Sequence, residues 1–346
     1  MTPTAVATIA GLEIRQRIRS TRWIVTAVLL FALVSMLVLG SLYLAVGVVG
    51  ASYRGWAENL LDIVLGVVLF LGFAAAPTLS ATSINGDRRD ATLALVQATP
   101  ISSWDLALGK LLGSWLSSLA LIGVALPYLI WGVVSSRTSI GYGVLAVVVL
   151  AAIMACYCAI GLGFSALTTR PAASAMLTQA GVLLLLIGLP IAFGFSYPLT
   201  AQNHSVLVAQ RDYTEDSSVP SCRLVEQDKE FNHTERSWWL LAPNPVLLVS
   251  DVLAAGDDAA RDGRGTGIAG MLARLQSSAR IGPDVRDETC GDLYVRTDDR
   301  NMSVRIGDSW FIGLAVTIAL GAGGLWTAAR RLRVPAGPLP RGVRVA

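Results

Sequence analysis

The sequence predicts an all-α polytopic membrane protein with six transmembrane helices, and three observations support this fold class. Hydrophobic residues make up 53% of the 346 residues and charged residues only 15%, and the mean hydropathy is +0.58. The apolar residues form long runs instead of the short periodic stretches of a soluble fold. Six runs reach the roughly 20 residues that a helix needs to cross about 30 Å of hydrocarbon. Soluble enzyme classes are therefore excluded.

The predicted spans divide the chain into segments of different character. They extend over about Trp23–Val49, Leu60–Thr82, Leu111–Val134, Tyr142–Leu167, Ala173–Phe195 and Ser309–Ala329. We expect residues 1–22 to form a cytoplasmic amphipathic helix, with a flexible anchoring tail as the alternative. Residues 23–196 hold spans one to five, residues 197–308 form a mixed α/β extracytoplasmic domain, and residues 309–346 hold the sixth span and a basic tail.

Basic residues near the span ends predict the orientation of the chain, because short flanks rich in Arg and Lys stay cytoplasmic. One side of the predicted spans holds thirteen of them: Arg15, Arg17, Arg19, Arg22, Arg88, Arg89, Lys110, Arg170, Arg330, Arg331, Arg333, Arg341 and Arg344. The opposite short loops hold only Arg54 and Arg137. We therefore expect a multi-pass protein of the bacterial plasma membrane with both termini in the cytoplasm.

The predicted extracytoplasmic domain is acidic, with 18 Asp and Glu residues against 12 Arg and Lys residues. Its pattern predicts a short helix at Ile268–Leu275 and a hairpin formed by Leu293–Thr297 and Met302–Ile306. Gly256–Gly267 is rich in Asp, Arg and Gly, which predicts a mobile loop. We expect the apolar stretch from Trp238 to Val249 to lie at the outer membrane surface, where tryptophan rings are common.

The four cysteines lie in two different predicted environments. Cys156 and Cys158 fall inside the fourth span, where a thiol is most often a small apolar filler. Cys222 and Cys290 fall in the extracytoplasmic domain, and an oxidising compartment favours a disulfide between them. Two free thiols are the alternative for this second pair.

Residues that could carry catalysis or hold a metal are scarce. The only histidines are His204 and His233, and neither lies in an HExxH or paired-cysteine spacing, so we expect no metal site and no catalytic residues. Gly109-Lys110 has Trp104 where a P-loop requires its first glycine, so we expect this chain to bind no nucleotide cofactor. The arginines do not cluster with aromatic residues as in nucleic-acid sites, so we expect no nucleic-acid partner.

Small residues recur every four positions at the start of the third span, at Gly109, Gly113 and Ser117. Such a face lets a second helix approach closely. The sequence therefore predicts a tight helix contact here, although the pattern does not say which helix makes it.

The most informative segment is the predicted cytoplasmic loop, residues 83–110. It predicts a charged helix over Asp87–Ala98 with an apolar stripe at Leu93 and Val96. The helix should end before Pro100, because the residue that precedes a proline avoids helical dihedral angles. A charged helix with an apolar face beside the membrane indicates docking onto a cytoplasmic partner.

This loop resembles that of the type-2 ATP-binding-cassette (ABC) transporter permease family, which reads approximately acid-Arg-x-x-Gly-Thr-Leu, then Thr-Pro-aliphatic-Ser, then Gly-Lys. The matching residues are Asp87, Arg88, Thr92, Leu93, Thr99, Pro100, Ile101, Ser102, Gly109 and Lys110. Ala91 replaces the usual glycine, and Ala94 stands where an acid is frequent. Six spans with both ends inside, and Asn244-Pro245 before an apolar stretch, extend the resemblance.

The resemblance implies a permease subunit of an ABC transporter, and we expect an exporter. A second permease subunit, in a homo- or heterodimer, would complete the path among the membrane lipids, and separate ABC ATPase subunits would dock below and hold the ATP and magnesium. The residues implied in ATPase coupling are Asp87, Arg88, Arg89, Asp90, Thr92, Leu93, Val96, Thr99 and Pro100. The alternative is a non-transport membrane sensor whose extracytoplasmic domain binds a ligand and signals through the loop.

Overall fold

The computed structural model describes residues 2–97, 99–212, 221–261, 267–290 and 306–333. The chain divides into two compact units. The first unit contains Met1–Leu185 and Leu314–Ala346, and the second contains Leu186–Gly313.

The described part of the first unit is helical. Its helices are α1 (Pro3–Ile18), α2 (Thr21–Leu42), α3 (Tyr53–Ala57), α4 (Leu60–Ala81), α5 (Ser83–Arg89), α6 (Thr92–Gln97), α7 (Ser103–Gly123), α8 (Leu126–Ser135), α9 (Ile140–Leu167) and α10 (Pro171–Leu183). Two π-helical stretches, Tyr43–Val48 and Leu184–Gly188, follow α2 and α10 directly. The elements α4 and α9 pack against each other at the centre of this unit.

The second unit combines helices with a two-stranded sheet. Its elements are α11 (Leu189–Ser196), β1 (Ala201–Asp212), β2 (Ser221–Asn232), α12 (Pro245–Ala255), α13 (Asp258–Arg261) and α14 (Ile268–Ile281). The strands are antiparallel, with His204 opposite Lys229. Short 3-10 helices lie at Pro198–Thr200, Thr234–Arg236 and Trp238–Leu240. The last helix, α15 (Trp310–Arg331), begins in the second unit and continues in the first from Leu314.

Within the described residues, five stretches of helix are long and apolar enough to cross a membrane. They are Trp23–Val48, Tyr53–Arg89, Ile140–Leu167, Pro171–Ser196 and Trp310–Arg331. The third predicted span, Leu111–Val134, is not one helix, because α7 ends at Gly123 and α8 starts at Leu126. The break precedes Pro127, whose ring and missing N–H group oppose a continuous helix. The chain is thus a mostly helical, multi-pass membrane protein.

The N-terminal segment is a helix, α1, and not the flexible tail that was the alternative. It packs against α7 along the small residues noted in the sequence. A Cβ atom on Gly109 would lie 2.6 Å from the Cβ atom of Ile9, and one on Gly113 would lie 2.6 Å from that of Glu13. Because any side chain there would collide with α1, the two glycines permit this close approach. The tight contact is therefore made within the chain.

Several predictions for the second unit can be compared with the structure. The helix predicted at Ile268–Leu275 is confirmed and continues to Ile281. The predicted loop at Gly256–Gly267 contains the short helix α13, and its residues 262–266 lie outside the described chain. The hairpin predicted from residues 293–306 also lies outside the described residues, except for Ile306.

The apolar stretch from Trp238 to Val249 does not behave uniformly. Trp239 is 61% exposed, as a surface position requires. In contrast, Leu241, Leu248 and Val249 are buried inside the second unit. Part of the stretch therefore packs inside the second unit, and its placement on or in the outer membrane surface stays a prediction.

The cysteines form two pairs, one in each unit. Cys222 and Cys290 are at disulfide distance, with their Cα atoms 5.8 Å apart. This spacing is typical of a disulfide. Cys156 and Cys158 are free thiols within α9, and Cys158 is buried.

Candidate functional site

The buried ammonium group of Lys110 is the centre of the most highly connected polar cluster in the first unit. Lys110 lies in α7 and is 2% exposed. Its Nζ atom is 2.8 Å from Glu13 Oε1 and 2.5 Å from Asp87 Oδ2. It also donates to the carbonyl and hydroxyl oxygens of Ser83, at 3.3 Å each. One side chain therefore connects α1, α5 and α7.

Arg17 adds a second positive charge to this cluster. Its Nη2 atom is 3.3 Å from Glu13 Oε2, and it donates to the carbonyl oxygen of Leu79 at 2.9 Å and to Ser114 Oγ at 3.2 Å. With Glu13 and Asp87, the cluster holds two positive and two negative charges. Such pairing is what allows charged groups to remain in a buried position.

The ionisation of Glu13 depends on these neighbours. Burial raises the pKa of its carboxyl group, but the charge and hydrogen bond of Lys110, followed by those of Arg17, outweigh burial, and the pKa lies below its ordinary value. Glu13 is therefore ionised at neutral pH. We use the name Lys110 cluster for Glu13, Arg17, Asp87 and Lys110.

The predicted helix Asp87–Ala98 was wrong as a single element. The structure contains two short helices, α5 and α6, and Ala91 between them has a φ of +58°. A right-handed helix cannot pass through such a residue, so the chain turns at Asp90 and Ala91. Ala91 stands where the related loops carry glycine, and glycine is the residue that adopts positive φ most readily.

The apolar stripe of this segment faces the protein's own interior. Leu93 is 2% exposed, and Val96 packs against the same buried group. The members of that group include Ile84, Leu106, Ala107, Leu162, Ala166, Ala328, Ala329 and Leu332. The interpretation of the stripe as a surface for a partner therefore needs correction. Leu93 instead ties α6 to α5, α7, α9 and α15.

The turn between α5 and α6 is the part of this segment that faces solvent. Arg89, Asp90, Ala91 and Thr92 are all exposed. Arg89 Nε lies 3.0 Å from Asp90 Oδ1, with both side chains more than half exposed. We call these four residues the exposed turn. Thr99 and Pro100, which follow α6, are exposed as well.

The nine residues predicted for coupling thus fall into two groups with different surroundings. Asp87, Leu93 and Val96 make internal contacts, and Arg88 is half-buried and donates to the carbonyl oxygen of Ala166 at 3.3 Å. The exposed group contains Arg89, Asp90, Thr92, Thr99 and Pro100. Thr92 remains attached to the internal group, because its hydroxyl donates to the carbonyl oxygen of Asp87 at 3.3 Å.

Sequence reasoning missed Glu13 and assigned no role to Arg17 beyond orientation. A signal was present, since Glu13 is the only acidic residue before Glu58. A lone acid among arginines and apolar residues at a membrane surface requires a partner. Lys110 was matched to the family pattern, but its partner Glu13 lies 97 positions away in the chain.

The two histidines also lie together, in the second unit. His204 Nε2 and His233 Nε2 are 3.1 Å apart, and His233 Nδ1 is 2.6 Å from Glu235 Oε1. Across the described chain, no group of three or more His, Cys, Asp or Glu side chains could hold a metal ion.

Comparison with known protein families bears on the first unit. The family model described as ABC-2 family transporter protein matches residues 7–216. The chain belongs to this ABC-2 transporter permease family. The matched region includes all of the Lys110 cluster and the exposed turn, so both are parts of an ABC-2 permease. A comparison with curated proteins gives no match.

Membership of the family establishes the general class of the protein. An ABC-2 permease is the membrane component of a transporter, generally not itself catalytic, and the family implies association with ABC ATPase partners. Most of the second unit lies outside the matched residues.

Replacing Lys110 by Met should destabilise the protein strongly. The change keeps the approximate length of the side chain but leaves Asp87 without this partner and Glu13 paired only with Arg17. Removing one partner of a buried ion pair costs about 3–5 kcal/mol. We expect a clear fall in the midpoint of thermal unfolding of the purified permease. The matched control is Lys229→Met, which removes the only other lysine of the sequence. The Lys229 side chain is 43% exposed, and its Nζ atom lies 3.4 Å from Glu288 Oε1. Equal midpoints for the two variants would contradict the role of the cluster.

Replacing Ala91 by Gly should stabilise the protein, which is the opposite of the usual effect. Glycine adopts positive φ without the steric cost of a Cβ atom, and we expect a gain of about 0.5–1 kcal/mol after its greater unfolded-state entropy is subtracted. The control is Ala107→Gly within α7, where glycine should cost about 1 kcal/mol. Thermal unfolding of both variants measures the sign, and a destabilised Ala91→Gly protein would argue against the turn.

Proposed function

We propose that this ABC-2 permease is the membrane subunit of an exporter powered by separate ABC ATPase subunits. The observation that carries the proposal is the arrangement of α5 and α6. Their exposed turn is free to receive a partner, while Asp87 and Leu93 attach the same segment to the helices of the first unit. A surface that is both accessible and firmly anchored is suited to transmit force.

The proposed topology has six crossings, both termini in the cytoplasm and the second unit outside the bacterial plasma membrane. The five apolar helices supply five crossings, and α7 with α8 would supply the other. Thirteen basic flanking residues against two support this direction. In this arrangement, residues 1–22 lie at the inner surface, residues 197–308 form the extracytoplasmic domain, and residues 309–346 end in a cytoplasmic tail.

The proposed mechanism begins at the exposed turn. Closure of an ATPase pair around ATP and magnesium would displace α5 and α6, and the displacement would reach the spans by two routes. The Lys110 cluster leads to α1 and α7, and the contacts of Leu93 lead to α9 and α15. ATP shifts the permease between inward-open and outward-open states only by the difference in its affinity for the two complexes.

The proposed assembly contains a second permease subunit and two ATPase subunits. ATP and magnesium belong to the ATPase subunits, and the residues of this chain bind and position those subunits without acting on ATP. The acidic carboxylate and the guanidinium of the exposed turn, Asp90 and Arg89, would then meet opposite charges on the docking surface.

Reversing both charges of the exposed turn tests this proposal. The double variant Arg89→Glu with Asp90→Arg should weaken binding of a co-expressed ABC ATPase subunit by about thirtyfold or more, since breaking ion pairs buried by docking costs about 2–5 kcal/mol. Arg88 is kept, because its contact with Ala166 belongs to the fold. The measurement is the amount of ATPase that co-purifies, together with its magnesium-dependent ATP hydrolysis.

The control for this experiment is Arg54→Glu, on the opposite side of the proposed membrane. The Arg54 side chain is 91% exposed, so its replacement should leave both assembly and thermal unfolding unchanged. Wild-type co-purification and hydrolysis in the Arg89/Asp90 variant would contradict docking at the exposed turn.

A further inference from the structure

A large cavity lies entirely within the second unit. Its volume is about 790 Å³, which falls within the range of roughly 300–1,000 Å³ that small-molecule sites occupy. Its walls come from α11, the end of β2, α12 and α14.

The lining of this cavity is mainly apolar, and the described lining residues include no Arg or Lys. The apolar lining side chains are Leu186, Pro190, Phe193, Phe231, Leu241, Val246, Leu247, Leu272, Leu275, Ala279 and Pro283. Glu230 is the one carboxylate among the lining residues. The site therefore suits a ligand with an apolar body, and its single charge favours a cation.

Gln276 is a lining residue whose amide is buried behind the cavity wall. The residue is 1% exposed, and its Nε2 atom donates to Ser309 Oγ at 3.1 Å. Its Oε1 atom is buried and has no hydrogen-bond partner in the described chain. With almost no accessible surface, this oxygen offers no contact to a ligand in the cavity.

The side-chain amide of Asn244, the other buried amide of the lining, is hydrogen-bonded to the backbone. Its Oδ1 atom accepts from the backbone N–H groups of Val246 at 3.0 Å and Leu247 at 3.2 Å. Its Nδ2 atom donates to the carbonyl oxygen of Leu186 at 2.8 Å.

Glu230 lies where the cavity meets solvent. It is exposed, like the lining residues Tyr197 and Leu275, and it forms no ion pair with any described residue. A carboxylate at the rim of an apolar cavity attracts an ammonium group. An uncharged or anionic ligand would gain nothing from it.

We infer that this cavity binds lipophilic amines: molecules with an apolar body and a protonated amino group. The apolar body fills the space between α11, α12 and α14, and the ammonium group lies near Glu230. This inference goes beyond the proposed function, because it concerns the second unit and requires neither an ATPase nor transport.

Photolabelling of the full-length protein in lipid nanodiscs tests the inference. The probe is dodecylamine carrying a mid-chain diazirine, and peptide mass spectrometry locates the label. We expect labelling of peptides that contain residues 241–247 and 272–283. Dodecylamine should displace this label, whereas dodecanoic acid at the same concentration should not, since the two differ in charge but share the apolar chain.

Variants distinguish binding of the probe in the cavity from its nonspecific partitioning into lipid. Glu230→Gln should raise the dodecylamine concentration for half-displacement about fivefold, as expected for a partly exposed ion pair. Ala279→Trp should abolish labelling by filling the cavity. The matched control is Asp228→Asn, an exposed carboxylate on the same strand but outside the lining, which should change nothing.

The inference is overturned by label confined to lipid-facing spans, by equal displacement with dodecanoic acid, or by equal behaviour of the Glu230 and Asp228 variants. If Ala279→Trp fails to fold, Glu230→Gln still decides the matter, because a rim residue without fold contacts can be replaced at little cost.

Discussion

The buried charge of Lys110 constrains the arrangement of the first unit. An ammonium group that is 2% exposed persists only when carboxylates surround it, and α1 and α5 each bring one to within 2.8 Å. Glu13 reaches this position because Gly109 and Gly113 let α1 lie directly on α7. The glycines and the ion pairs therefore depend on each other. A larger residue at either glycine, or the loss of the Glu13–Lys110 ion pair, would separate α1 from α7.

The same ion pairs attach the α5–α6 segment to the rest of the first unit. Lys110 holds Asp87 through an ion pair and a buried apolar group holds Leu93, whereas the turn between the two helices is exposed. In an ABC-2 permease this is the geometry that a docking surface needs, because a partner pressing on a loosely attached loop would move only the loop. The proposed coupling route follows from these attachments.

The sequence predicted what depends on local pattern and missed what depends on distant contacts. Long apolar runs identified most spans, and the loop motif identified the family. The Glu13–Lys110 pair could not be predicted, because its partners are 97 positions apart. The break at Ala91 was overlooked although alanine replaced a family glycine there, since positive φ leaves no trace in helical periodicity. The strands β1 and β2 were also missed, because polar residues dominate both strands and the buried alternation at Val206 and Val208 is short.

The central claim is that Lys110 holds the α5–α6 segment to the helices of the first unit. Hydrogen–deuterium exchange of the purified permease in nanodiscs tests it directly, with wild type compared with Lys110→Met. The account predicts that amides in residues 83–97 exchange at least about tenfold faster in the variant, while those in α9 keep their protection, since local opening is governed by local contacts. Identical exchange of residues 83–97 in the two proteins would contradict it.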